Sequence, residues 1–317
     1  MESYSRLAES FGRLLANEVS NRSDAGASTP VPPDNEIRQC LIILLVQPLL
    51  PILIDAAGKV GQPEVGDYWA SRVKTLAHQL SILGAFLRYV PYGDGAKSAI
   101  QSVMVNGFKL LGDPKTPPQI ISSFSGFVQD LLRGPHQQKP FATVYLKPLI
   151  AVVHAAVQRC PDVAWLDFCK CLVLELGGEY RSVFAGMVDG LAKMIAPKLV
   201  AALRQKQSKV QFAGGTVQCH GLLVGLLELF NHFQGACGKS VYSLQAFDTY
   251  LSIAIACLGH FARDMRLGMM VSALLNQAAR TLRLSNDAVR LVLTMLTVVC
   301  EARHSKMHIR HVTLCEV

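Results

Sequence analysis

Aromatic residues are scarce in this chain, at 7% of 317 residues, and charged residues reach only 17%. Hydrophobic residues nevertheless make up 50%. With few rings to fill a core, Ala and Leu supply the apolar surface, and small side chains let helix backbones approach closely. Sustained alternation of Val, Ile, Thr and Tyr, the mark of half-buried strands, is hard to find. The expectation is an all-α fold.

The motifs of catalysis are missing as well. There is no phosphate-cradling glycine loop, nucleophile elbow or dinucleotide fingerprint in a strand–helix setting. Acids are sparse and form no convergent pair. Cys219 and His220 are adjacent, but neighbouring side chains on a helix diverge by about 100 degrees and do not make a catalytic pair by adjacency. Cys169-Lys170-Cys171 lacks a second thiol pair at zinc-finger spacing. His304, His308 and His311 lie in a basic tail, with no carboxylate base between the first two. No enzyme reading survives, and no cofactor or metal is expected.

A secretory leader is not evident, because Met1-Glu2-Ser3-Tyr4-Ser5-Arg6 is not followed by an apolar core. The nine cysteines are odd in number and mostly embedded in apolar helical runs. Reduced, buried thiols in the cytoplasm or nucleus follow from that. The longest apolar run, Cys40 to Ala57, carries Gln47, Pro48 and Pro51 and meets Asp55. It stops short of the roughly 20 apolar residues that a bilayer requires, so it reads as a buried, proline-kinked core helix, and no membrane span is expected.

What is present is a monotonous series of apolar helices and short breakers. Leu7, Phe11, Leu14, Leu15 and Val19 share helical spacing, so residues 1–19 form an N-terminal amphipathic helix. Residues 20–35, rich in Ser, Ala, Pro and Asp, form a flexible linker. From residue 36 to 302 the breakers recur: Gly61-Gln62-Pro63, Pro91-Tyr92-Gly93-Asp94-Gly95, Asp113 to Pro118, Gly134-Pro135-His136, Cys160-Pro161-Asp162, Gly177-Gly178 and Gly214-Gly215. Roughly eleven helices lie between them. Those over 37–57 and 64–90, 96–111 and 118–133, 141–159 and 162–176, 180–204 and 216–234, and 244–261 and 264–283 make natural pairs; 286–302 is left over.

A pair cannot bury its apolar face alone, and pairs of this length suit an α-solenoid of HEAT or armadillo-like repeats. A globular helical bundle is the alternative. Helices that are apolar around most of their circumference, such as Gly221 to Leu227, require cover on more than one side. Residues 303–317 form a basic tail, which suits a chain that is a piece of something longer.

The formal charge is +8 and the pI about 9.1. Lys198, Arg204, Lys206 and Lys209 belong to a stretch without an acid, and the last three fall in a polar loop from Arg204 to Gln211. Arg280, Arg283 and Arg290 populate the last helices. These seven are the candidate contacts for an acidic partner. A nucleic acid is the less favoured partner, since stacking aromatics are absent.

Two stretches carry a family likeness. Leu146 to Tyr180 reads LKPLIAVVHAAVQRCPDVAWLDFCKCLVLELGGEY, and Ala278 to Arg303 reads AARTLRLSNDAVRLVLTMLTVVCEAR. Their layout resembles the middle and C-terminal HEAT repeats of the importin-β (karyopherin) family, in particular its transportin-SR and importin-13 branch. The resemblance implies a partial nuclear transport receptor that wraps protein cargo and responds to the GTPase Ran. Met1 to Pro91 shows no counterpart of the family's Ran-binding repeats, and the chain is basic where those receptors are usually acidic. The expected function is therefore a protein-binding helical-repeat adaptor. The alternatives are a scaffold subunit of a larger complex and a basic nucleic-acid-associated protein.

Overall fold

The computed structural model describes residues 33–59, 65–90, 92–134 and 138–237, with Ser10, Ile253, Asp264, residues 266–271 and Ala273. The tail at 303–317, the expected helix 286–302, and most of the expected helices 244–261, 264–283 and 1–19 lie outside the described residues. Helices dominate what is described, as the composition requires. The chain divides into two compact units, residues 1–156 and 157–317.

In the first unit, α1 (Pro33–Gly58), α2 (Val65–Leu87), α3 (Asp94–Gly112) and α4 (Pro118–Arg133) are followed by the short α5 (Gln138–Phe141). A π-helical turn, Ala142–Leu146, then leads into α6 (Lys147–Arg159). Helix α1 begins inside the expected linker, because Pro33 can occupy a first helical position where its missing N–H is not needed. The breakers act through identifiable contacts. Between α3 and α4 the Thr116 hydroxyl donates to the Leu110 carbonyl at 2.6 Å, and the Asp113 carboxylate accepts from the Lys115 amide at 2.9 Å. Pro118 then opens α4.

The start of α3 is held by a residue far away in sequence. Gln39 on α1 is 9% exposed, and its Oε1 accepts from the Gly93 amide at 2.9 Å and the Ala96 amide at 3.2 Å. It does from a neighbouring helix what an N-cap side chain normally does locally.

Helix α1 packs on α2, but its most extensive packing is on α3, and α2 packs most extensively on α4. The pairing expected between α3 and α4 is a lesser contact, made through rings: Phe108 and Phe124 have centroids 6.3 Å apart. Around them Phe124, Phe127 and Phe141 are fully buried.

The expectation of a buried α1 holds for one face only. Ile42, Val46, Leu49 and Leu53 are fully buried or nearly so, at helical spacing. Ile37, Leu44 and Ile54 are 52%, 57% and 50% exposed. A helix this apolar passes a hydropathy test from every side, whereas packing on α2 and α3 covers only part of its circumference. By length and composition, Glu36–Gly58 and Lys139–Arg159 are each sufficient to cross a membrane.

In the second unit α7 (Val163–Leu176) is capped by Asp162, whose carboxylate accepts from the Ala164 amide at 3.4 Å. Helix α8 (Arg181–Arg204) leads to a two-stranded antiparallel hairpin, β1 (Lys209–Phe212) and β2 (Gly215–Gln218), and then α9 (Cys219–Cys237). Helix α9 packs chiefly on α7 and less on α8. The all-apolar run in α9 is covered as expected: Leu222, Leu223, Leu226 and Leu227 have no exposed surface.

The hairpin corrects two expectations, the polar loop through Gln211 and the start of the next helix at residue 216, which instead begins at Cys219. Val210 and Phe212 alternate inward with Lys209 and Gln211 outward, and Val210 pairs with Val217 across the ladder. This is period-two patterning around a glycine turn, which forms strands and not a loop. Gly215 takes φ of 150°, a conformation that costs a residue without a Cβ little.

Candidate partner-binding surface

Four of the seven candidate cations lie on the last part of α8, the turn after it and the start of the hairpin. Helix α8 closes with a Schellman arrangement: the Gln207 amide donates to the Ala202 carbonyl and the Lys206 amide to the Leu203 carbonyl, both at 2.9 Å. That geometry puts Lys206 at φ of 56°, the left-handed region where glycine is usual. Among the described non-glycine residues Lys206 alone has positive φ. A lysine there costs on the order of 1 kcal/mol of backbone strain.

The base of the hairpin is closed by the Cys219 amide, which donates to the Ser208 carbonyl at 2.8 Å. Its tip is anchored at the other end, where the Gly214 amide donates to the Arg159 carbonyl at 2.8 Å. A Cβ on Gly214 would lie 3.2 Å from that carbonyl oxygen and from the Cys160 Cβ. With both ends fixed, the segment from Arg204 to Lys209 is presented outward on a rigid support, and every residue in it is exposed.

Lys198 belongs to the support as much as to the surface. Its ammonium lies over the Phe212 ring, 4.9 Å from the centroid, so a cation–π contact helps hold β1 to α8. The structure thus collects Lys198, Arg204, Lys206 and Lys209 on one helix end and one strand. Arg280, Arg283 and Arg290 lie outside the described residues.

No family model, curated protein or solved structure matches the chain. The surface has to be read from its own geometry.

A second charged arrangement joins the helices of the same unit. The Lys170 ammonium donates to Asp167 at 2.7 Å and to Glu228 at 2.8 Å, and Glu228 also accepts from Arg266. Burial works against the charge on Lys170, but hydrogen bonds and attraction from Asp167 and Glu228 outweigh it and raise its pKa. Burial likewise opposes ionisation of Glu228, and the two cations reverse the effect and lower it. The His232 imidazole is pulled down by burial and by Lys170. This network ties α7 to α9 and to the helical stretch at Arg266, and its sequence separations hide it from any motif search. Beside it, His220 Nε2 lies 2.5 Å from the Asp264 carboxylate, which holds that carboxyl below its ordinary value.

Cys169 and Cys171, two positions apart on α7, are both buried, and burial pushes the Cys169 thiol up to about 12. The Cys169 thiol therefore keeps its proton at neutral pH. Cys219 is buried, with its thiol directed at the Gln207 carbonyl, while His220 is exposed, so the pair diverges. Among the described residues no three His, Cys, Asp or Glu side chains gather to hold a metal ion. In the first unit an open cleft of about 510 Å³ is lined by Lys74, His78, Ser81, Gln119, Ser122 and Ser123, a set with hydroxyls but no carboxylate.

Proposed function

We propose that this chain is a protein-binding adaptor built as an α-solenoid of HEAT- or armadillo-like helix pairs. It receives an acidic protein partner on the cations at the end of α8 and the base of the hairpin, and it catalyses no reaction. The packing of alternate helices carries the reading: α1 on α3 and α2 on α4, the contact that stacks one helix pair on the next. Such stacks offer long surfaces and work by binding.

The partner is expected to be acidic because Arg204, Lys206 and Lys209 stand exposed on a fixed support. Lys206 keeps a cation at a position whose backbone favours glycine, and strain retained at a surface position points to use. The aromatic ring under Lys198, Phe212, is buried and so offers no platform on which a base could stack. That favours an acidic protein over a nucleic acid. The resemblance to importin-β receptors extends the proposal to cargo carriage between cytoplasm and nucleus under the control of Ran.

The test is capture from cell extract on the immobilised full chain, compared with Arg204→Glu/Lys206→Glu/Lys209→Glu. The proposal expects acidic proteins on the first and their loss from the second. Equal capture by both would remove the surface from the account.

A further inference from the structure

We infer that the free edge of β1 receives an extended acidic segment of another protein, which adds to the hairpin as an antiparallel strand. This docking rests on the acidic partner proposed above and specifies how that partner is held.

The register of the hairpin fixes which backbone groups face outward. The Cys219 amide donates to the Ser208 carbonyl, so these two residues form a hydrogen-bonded pair. Bonded and non-bonded pairs alternate along an antiparallel ladder. Lys209 opposite Gln218 and Gln211 opposite Thr216 are then the non-bonded pairs. Lys209 and Gln211 therefore turn their amides and carbonyls away from β2. Among the described residues the sheet has two strands, and neither Lys209 nor Gln211 makes a backbone hydrogen bond outside it. Both residues are exposed. An edge of this kind is a template for strand addition, in which main-chain bonds supply affinity and alternate side chains supply choice.

Charge selects the occupant. Arg204 and Lys206 lead into this edge and Lys209 stands on its outer face, all exposed. A lysine on an edge discourages pairing with a strand that brings no counter-charge. The same edge of a second copy brings none, because Gly190 to Leu227 contains no Asp or Glu. The fitting strand carries acids at alternate positions, with one directly opposite Lys209, where facing opposite charges stabilise a pair. The edge of β2 lacks that selection, since its outward residues Thr216 and Gln218 are uncharged. The hairpin is also held in advance. Its base is closed by Cys219 on Ser208 and its tip by Gly214 on Arg159, each at 2.8 Å, so a partner does not have to order it.

Strand pairing and simple attraction of charge place different demands on the partner's backbone. Facing residues in a bonded pair exchange both bonds, so a Glu opposite Lys209 uses its own amide, while the residues on either side turn theirs away. The probe is a labelled synthetic peptide of alternating Glu and Val, titrated with the full chain by fluorescence anisotropy. Two analogues keep its charge, one N-methylated at the Glu amides and the other at the Val amides. Methylating the Glu amides should weaken binding about tenfold, the worth of one or two hydrogen bonds, and methylating the Val amides should not. Gln211→Pro removes an outward donor and should weaken the parent peptide similarly, whereas Gln211→Ala keeps that donor and the affinity. Circular dichroism checks that both variants fold; if Gln211→Pro does not, the two analogues decide alone. Equal binding of both analogues would overturn strand addition while leaving a surface that attracts acidic partners. Failure of every peptide to bind would overturn it too. The capture comparison with Arg204→Glu/Lys206→Glu/Lys209→Glu then decides separately whether the acidic-partner surface stands.

Discussion

Gly107 on α3 exists in the shadow of Phe124 on α4: a Cβ at 107 would lie 2.1 Å from the Phe124 Cε2 and 2.5 Å from its Cζ. Phe124 is 1% exposed and packs on Phe127 at 5.6 Å between centroids, so the ring has no free direction in which to retreat. In an exposed helix Gly→Ala is worth up to about 1 kcal/mol of stabilisation. Here overpacking, at about 1–3 kcal/mol, wins. Gly107→Ala is expected to lower the urea midpoint of unfolding, and Gly107→Ala combined with Phe124→Leu to recover part of the loss.

The Gln39 cap gives a second expectation. Gln39→Leu keeps the volume but leaves the amides of Gly93 and Ala96 at the start of α3 without their acceptor, Ala96 being buried. The cost should be about 1–2 kcal/mol. Gln39→Glu retains the acceptor oxygen and should lose less at neutral pH. Denaturant melts of the two variants side by side decide the matter.

The Lys170–Glu228 pair predicts the pH dependence. Glu228 has a folded pKa lowered from 4.5, so its contribution is present above that value and is lost as pH falls through the lowered one. Lys170 has a pKa raised from 10.5, so its contribution is present below that value and is lost as pH rises through the raised one. Glu228→Gln should therefore cost about 2 kcal/mol at pH 7. The gap between variant and wild type should narrow in acid, where wild-type Glu228 is itself protonated. Urea melts at pH 3 and pH 7 would measure it, and an equal gap at both would remove Glu228 from the acid transition.

Lys206 separates stability from binding. Lys206→Gly relieves the left-handed backbone and should leave the protein as stable as before, or more stable by up to about 1 kcal/mol. It should also weaken the retention of acidic proteins on the immobilised chain by severalfold. A variant less stable than wild type would mean that the lysine side chain packs and does not serve a partner.

Much of the helical layout was legible from periodicity and breakers. Helices α2, α3, α4, α7 and α8 lie within a few residues of their expected spans, because proline, glycine and short oxygen-bearing side chains act locally. The hairpin was not read, although Lys209 to Gln218 alternates in period two around Gly214-Gly215. A four-residue strand carries too few positions to stand out in a helical chain. The exposed face of α1 was hidden for a different reason: hydropathy shows that a helix needs cover, but not how much its neighbours supply. Of the candidate cations, Arg204, Lys206 and Lys209 are exposed as expected, while the ring beneath Lys198 required the fold. The ion network through Lys170 joins residues 58 positions apart, a distance at which a single sequence carries no signal.

The most direct measurement is capture of partners from cell extract on the immobilised full chain, with and without Ran loaded with a non-hydrolysable GTP analogue. An adaptor of the nuclear transport kind should retain a defined set of proteins and release or recruit members of it when Ran-GTP is added. A set indifferent to Ran would contradict the transport reading and leave a constitutive scaffold, and an empty column would contradict the adaptor itself.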